Sequence, residues 1–449
     1  MLYTLTAATG GSGPQSYMVR DSAGNANPYA ALVARVVVQT PAPAACGVWQ
    51  PDSSLAHRTA KLWLTRVVAY SYIPKEGWYG SSSEGRLMRS LLWLCAGTTC
   101  VISGLLQLRA QSTDSSELRH RLDEKVPTWI RVFNATGVSI AYIEHGKIAW
   151  TAYYGEQVPG GPAANEKTLY DVASLTKPIT AEVIVRLASE GKLALDGSMA
   201  PDWIDPDIKD NPWSKLLTLR MCLSHRTGFA NWRYQTKNVL TFQWEPGTKT
   251  GYSGEGFDYA ARFAERKTGR AWEELAQQYV FDPAGMRDTS YTPRAWWTGR
   301  QAKPVEVGNR TKWSGAALLR TTVSDYARFM ISVMNNENVT REIARQRVTV
   351  LENQITPDQQ TVFCEDSPDP SHCTVSAGFG LSWHVVRIGG DVILDHTGKD
   401  ADVVTLAVFQ PGRKTGIVVF TDGPDIGHQI IDKILGILYP NRVYRNTLW

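Results

Sequence analysis

Strand-like segments lie near both ends of the foldable part of this chain, and a long, mainly helical stretch separates them. Gly137 to Ile143 and Lys147 to Tyr153 flank Glu144-His145-Gly146 and read as a hairpin. Four more runs come late: Phe379 to Val386, Val392 to His396, Val403 to Phe409 and Gly416 to Phe420, with Pro411-Gly412-Arg413 turning between the last two. Leu118, Leu122 and Val126 recur at helical spacing ahead of the first strands, and Pro127 is expected to end that helix. Ile430, Ile431, Ile434, Leu435 and Leu438 make a closing amphipathic helix. The simplest assembly is one discontinuous antiparallel sheet in which early and late strands pair, with the terminal helices flanking it. Residues from about Thr168 to Glu365 then form a helical lobe, with segments such as Ile179 to Leu193, Gly256 to Thr268 and Ala271 to Val280. The expected class is α/β (α+β): an antiparallel sheet flanked by terminal helices with an inserted all-helical lobe. A cleft between lobe and sheet is where a small-molecule site belongs.

The length of 449 residues allows two or three domains, and 43% hydrophobic with 20% charged residues describes an ordinary globular protein. A net charge of +4 without a lysine and arginine block argues against nucleic acid as a partner. Ser90 to Leu108 carries no charge, follows Arg86 and Arg89, and precedes Ala110-Gln111-Ser112, whose small residues suit signal peptidase. Residues 88–112 are therefore expected to be a signal peptide starting at Met88, with a membrane anchor through 90–108 as the alternative. Residues 1–87, rich in Gly, Ser, Ala and Pro, are expected to be a poorly ordered extension, either an upstream translation artefact or a cytoplasmic tail. The location expected is periplasmic or secreted. Cys364 and Cys373 bracket a polar loop and suit a local disulfide in an exported protein, whereas Cys222 reads as a buried free thiol. No CxxC pair points to zinc or redox chemistry.

Three segments carry chemistry. Ser174-Leu175-Thr176-Lys177 places an amine one helical turn from a hydroxyl, so Lys177 can help deprotonate Ser174 at a helix start. Ser189-Glu190-Gly191-Lys192 repeats the pattern, so spacing alone does not choose between them. Tyr252 lies on the Gly-rich loop Pro246 to Gly254, and a neighbouring ammonium would lower its phenol pKa enough for general-base work. Asp395-His396-Thr397-Gly398-Lys399 ends a strand, where His396 can hydrogen-bond and Gly398 would admit a substrate backbone.

In the order S-x-x-K, Y-x-[NG], [KH]-[TS]-G, these segments resemble the penicillin-recognising serine hydrolases, particularly the branch of class C β-lactamases, D-alanyl-D-alanine carboxypeptidases and esterases. Leu223 to Gly228, Gly380 to Trp383 and Val418 to Gly423 are similar to that family's other landmarks, and the resemblance covers roughly residues 116 to 440 within an expected domain of 113–440. It implies a β-lactamase/transpeptidase-like fold, with Ser174 as acylated nucleophile and Lys177 and Tyr252 as its base pair. His396, Thr397, Gly398 and Gly254 would line the substrate, the amides of Ser174 and Lys399 would form the oxyanion hole, and no cofactor or metal would be needed. The implied partner is a small ester, a β-lactam or a short peptide. Gly254 stands where β-lactamases often have asparagine, and His396 replaces a permanent cation, so an esterase or peptidase-like activity is favoured over efficient β-lactam hydrolysis. Two alternatives are a slowly deacylating penicillin or peptidoglycan sensor of the same fold and an α/β-hydrolase acting through Ser253, whose Gly-x-Ser-x-Gly match has its last glycine displaced.

Overall fold

The structure is a computed structural model that describes residues 4–6, 18–20, 115–302, 313–365, 367, 369–400, 403–422, 427–439 and 442–445. The expected signal or anchor at 88–112 lies outside these residues. Two compact units are delimited, 1–83 and 84–449. In the first, Thr4–Thr6 pairs antiparallel with Met18–Arg20, a ribbon that the composition of the segment does not signal.

In the second unit, helix α1 (Ser115–Phe133) leads into strands β1 (Gly137–Glu144) and β2 (Lys147–Gly155). His145 and Gly146, with φ of 51° and 71°, form the two-residue turn that matches strand twist. The late strands are β3 (Val375–Phe379), β4 (His384–Ile388), β5 (Asp391–Asp400), β6 (Val403–Gln410) and β7 (Thr415–Asp422). One seven-stranded sheet has the order β2, β1, β7, β6, β5, β4, β3, with every neighbouring pair antiparallel. Early and late strands meet at β1 and β7, where Gly137 faces Asp422.

Alternation along the central strands sends side chains to two cores. Ile140, Leu406 and Val419 face α1 and the closing helix Gly427–Leu438, packing with Leu118, Leu122, Val126, Ile430 and Ile434. Ala141, Ala407 and Phe420 face the lobe. The lobe contributes α2 (Thr176–Ser189), α3 (Gly254–Thr268) and α4 (Val323–Met334); the closing helix is α5.

Three local expectations fail. Helix α1 runs through Pro127 to Phe133, because Trp129, Ile130 and Phe133 beyond the proline pack on the outer core and outweigh the lost backbone bond. Residues Phe379 to Val386 are not one strand. The chain turns at 380–383, with the Gly380 amide donating to the Trp383 carbonyl over 2.9 Å, and this buries Trp383 completely. Strand β5 also runs on to Asp400, so His396 is mid-strand rather than at a strand end. Cys364 and Cys373 are disulfide-bonded, and Cys222 is a buried free thiol. Among the described residues no helix is long and apolar enough to cross a membrane.

Candidate active site

Ser174 sits in a single tight turn, Ala173–Leu175, that runs directly into α2. Ala173 has φ of 47°, left-handed backbone that an L-residue adopts only when its surroundings hold it there. The Ala173 amide donates to Asp171 Oδ1 (3.0 Å), Thr176 Oγ1 donates to the Ala173 carbonyl (2.7 Å), and Tyr326 donates to the Leu175 carbonyl (2.9 Å). Helix α2 is itself tied down by a buried ion pair between Glu182 and Arg347, at 2.8 Å. The turn therefore presents Ser174 on a stiff base.

Lys177 has no solvent exposure. Its Nζ lies 2.9 Å from Ser174 Oγ and 2.9 Å from the Ala316 carbonyl, with the Tyr252, Trp232 and Phe257 ring centroids at 4.9, 5.6 and 6.0 Å. Burial disfavours the ammonium and lowers its pKa from 10.5 to about 7, although the Asp258 carboxylate pulls the other way. A substantial neutral fraction thus exists at neutral pH, within hydrogen-bonding distance of the Ser174 hydroxyl.

Tyr252 hydrogen-bonds Ser174, yet its electrostatics reverse the expectation from sequence. Burial pushes its phenol up and the Ser174 bond only partly offsets this, so the group stays protonated. Tyr252 is 37% exposed, and Lys177 Nζ lies over its ring, 4.9 Å from the centroid. Of the two groups beside Ser174, Lys177 is thus the one that is partly neutral near pH 7, while Tyr252 keeps its proton and hydrogen-bonds Ser174.

His225 braces this tyrosine. Its ring stacks on Tyr252 at 4.2 Å, its Nδ1 accepts from the Ser253 amide at 3.1 Å, and its carbonyl accepts from the Gly251 amide at 2.8 Å. Glu352 holds the same loop from the other side by accepting from the Thr250 amide and hydroxyl. Gly251 is required because a Cβ there would overlap the Trp244 ring.

On β5, His396 is 4% exposed, and its Nδ1 lies 2.7 Å from the Thr397 carbonyl. A carbonyl only accepts, so Nδ1 carries the proton and Nε2 presents a lone pair, buried without a protein partner. Burial, reinforced by Lys177, lowers the His396 pKa to about 3. No imidazolium stands here to receive a carboxylate.

Gly398 has a packing role of its own. A Cβ on it would overlap Thr405 Oγ1 and the Val172 carbonyl and approach the Leu175 amide at 3.3 Å, so its bare backbone lets β5 close on the Ser174 turn. Thr397 is half-buried opposite Leu406, and Lys399, opposite Val404, carries an exposed side chain. Gly254 opens α3, and a Cβ on it would come within 2.5 Å of the Trp232 ring. Ser253, the nucleophile of the α/β-hydrolase alternative, caps α3 and donates to the Ala230 carbonyl instead. Ser189 accepts from the Thr340 amide and Lys192 pairs with Glu190, so the second S-x-x-K is surface structure.

The site thus gathers Ser174, Lys177, Tyr252, Gly254 and His396 from three separate stretches of chain. Sequence reasoning did not single out Trp232, Asp258 or the Ala316 carbonyl. His225 stood only within a landmark segment. No motif marks them, because each acts through a contact made in three dimensions.

Comparison with known proteins identifies the family and the fold. Residues 127–433 match the Beta-lactamase family. The D-alanyl-D-alanine-carboxypeptidase/endopeptidase AmpH of Escherichia coli (strain K12) is 24% identical over 318 residues, covering 65% of this chain and 80% of that protein. The lovastatin esterase of Penicillium rubens is 32% identical over 167 residues, 29% of this chain and 41% of that protein. Among solved structures, the D-alanine carboxypeptidase AmpC from Burkholderia cenocepacia has a TM-score of 0.57 at 17% identity, covering 73% of this chain and 100% of that one. A class C β-lactamase mutant has a TM-score of 0.58 at 18% identity, covering 74% of this chain and 99% of that one. These last two show a common fold. With the family match spanning most of the chain and the Ser174–Lys177 pair within it, the chain belongs to the β-lactamase family of serine hydrolases.

Proposed function

We propose that Ser174 forms an acyl-enzyme with small carboxylic esters, and more slowly with β-lactams or short peptides, and that water then releases the acid. The observation that carries this reading is Lys177 Nζ at 2.9 Å from Ser174 Oγ in a site that lowers its pKa to about 7. Neutral Lys177 takes the Ser174 proton as Oγ attacks the carbonyl carbon. The proton then passes to the leaving alcohol or amine as the carbonyl re-forms and the old bond breaks, with the Tyr252 hydroxyl as relay. Water repeats the sequence on the acyl-enzyme, returning Ser174 as a free hydroxyl. The amides of Ser174 and Lys399 are assigned to the developing oxyanion, since β5 packs against the nucleophile turn at Gly398. Neutral His396 and the missing side chain at Gly254 support esters over carboxylate-bearing β-lactams.

The test is covalent labelling. A fluorophosphonate should add one adduct to Ser174, lost in Ser174→Ala; labelling elsewhere overturns the assignment. We also propose export to a periplasmic or extracellular space, which the Cys364–Cys373 disulfide supports. N-terminal sequencing of fractionated protein should find a start just after Ser112, and an uncleaved cytosolic chain would contradict it.

A further inference from the structure

The tripeptide Asn231-Trp232-Arg233 is stitched to the first turn of α3. Gly254 donates its amide to Asn231 Oδ1 at 2.8 Å, and the Glu255 amide donates to the Asn231 carbonyl at 3.1 Å. In return, the Arg233 amide and Nε each donate to a different Glu255 carboxylate oxygen, both at 2.9 Å, and Arg233 also pairs with Asp205 and Asp207. These bonds hold the Trp232 ring against Gly254, where any side chain at 254 would collide with it. The indole takes the volume that a longer residue 254 would fill, and it does so 5.6 Å from Lys177 Nζ, beside the reacting centre. Tyr234 continues the surface outward: its ring lies nearly parallel to Trp232 (14°) at 6.4 Å and is 67% exposed. An exposed aromatic ring stacked on a half-buried one that reaches to 5.6 Å from Lys177 Nζ makes a surface suited to binding a flat group.

We infer that Trp232 and Tyr234 form an aromatic subsite that selects substrates carrying a planar, apolar group next to the scissile carbonyl, such as aryl or arylalkyl esters. The inference rests on the acyl-transfer reading above and adds the substrate class. A flat apolar group can stack on Trp232, whereas a polar amide would find no hydrogen-bonding side chain at position 254. The Arg233–Glu255 anchor keeps the ring in place before substrate arrives, so little ordering remains for binding to supply.

The experiment uses two matched ester series on the full chain: one varies the acyl group from acetyl to phenylacetyl, the other varies the alcohol from methyl to benzyl. Wild type should prefer the aryl member of at least one series in kcat/KM, and the responding series identifies which part of the substrate stacks. Trp232→Ala should reduce that aryl-to-alkyl ratio about tenfold, chiefly through KM, and Tyr234→Ala should reduce it by a smaller factor. Trp232→Phe should restore most of the ratio. Tyr234 is on the surface, so its variant guards against misfolding as an explanation. Ratios within about twofold of wild type in both alanine variants, or an unselective wild type, overturn the subsite. Fluorophosphonate labelling of wild-type Ser174 is run in parallel. If labelling succeeds and selectivity fails, only this inference falls; if labelling fails, the catalytic reading falls with it.

Discussion

Raising the pH through the titration of Lys177 should switch acylation on. Its Nζ is wholly enclosed and has two neutral partners, Ser174 Oγ and the Ala316 carbonyl, which cannot replace the hydration of an ammonium. The gap between the ordinary 10.5 and about 7 corresponds to about 5 kcal/mol against the charged form. At pH 7 about half the molecules then hold a neutral amine, against about one in 3000 for an exposed lysine. Acylation measured with a chromogenic ester under single-turnover conditions should rise about tenfold per pH unit below 7 and level off above about 8. The same shift has a consequence for stability. Below pH 7 native and unfolded chains both hold the proton, and the full penalty of the buried charge is present. Between 7 and 10.5 the unfolded chain binds a proton that the native chain lacks, so stability rises with pH across that window. Lys177→Met should abolish that rise and slow acylation by about a hundredfold or more. His396, with its pKa near 3, cannot supply the limb. His384 is the control: burial works against its charge, but the Asp395 carboxylate outweighs it and raises the pKa, so His384→Gln must leave the limb in place. A rate that climbs only near pH 10, the signature of a Tyr252 phenolate base, would refute the reasoning.

Tyr252→Phe should lower the acylation rate by about a hundredfold while leaving the limb near pH 7 unmoved, since the hydroxyl relays a proton and does not set the base. Gly398→Ala forces a methyl into Thr405 and the Val172 carbonyl; a loss of both Ser174 labelling and thermal stability is expected, and retention of both would show that β5 need not close on the turn. His396→Lys introduces a cation near Lys177, so the pH limb should move below 7 while carboxylate-bearing β-lactams gain relative to neutral esters in kcat/KM. An unchanged ratio in that comparison would remove His396 from the substrate site.

The layout of strands and helices was legible in sequence because β1 and β6, buried on both faces, read as short, nearly continuous apolar runs between turn residues, and α1 and α5 show helical apolar spacing. The Ser174–Lys177 pair was legible for a related reason, since one turn of helix sets its geometry. What remained hidden depends on partners far along the chain. Pro127 reads as a stop until Trp129 and Phe133 are seen packing beyond it. The pKa order of Lys177 and Tyr252 could not be inferred from adjacency, because enclosure by Trp232, Phe257 and the Ala316 loop decides it. Gly254 reads as the loss of an asparagine, but only contact with Trp232 explains why a side chain is excluded.

The pairing of β1 with β7 has a consequence in time. Ser174, Lys177 and Tyr252 are made before the strand that closes on their turn, β5, and before the strand that joins it to the first hairpin through β6. Such sequence-distant contacts form slowly, since a long loop must close before they contribute. A nascent or truncated chain ending before residue 391 holds a nucleophile with no strand behind it. Closure of the sheet on the Ser174 turn therefore waits for strands β5 to β7, so the fold carries its own delay.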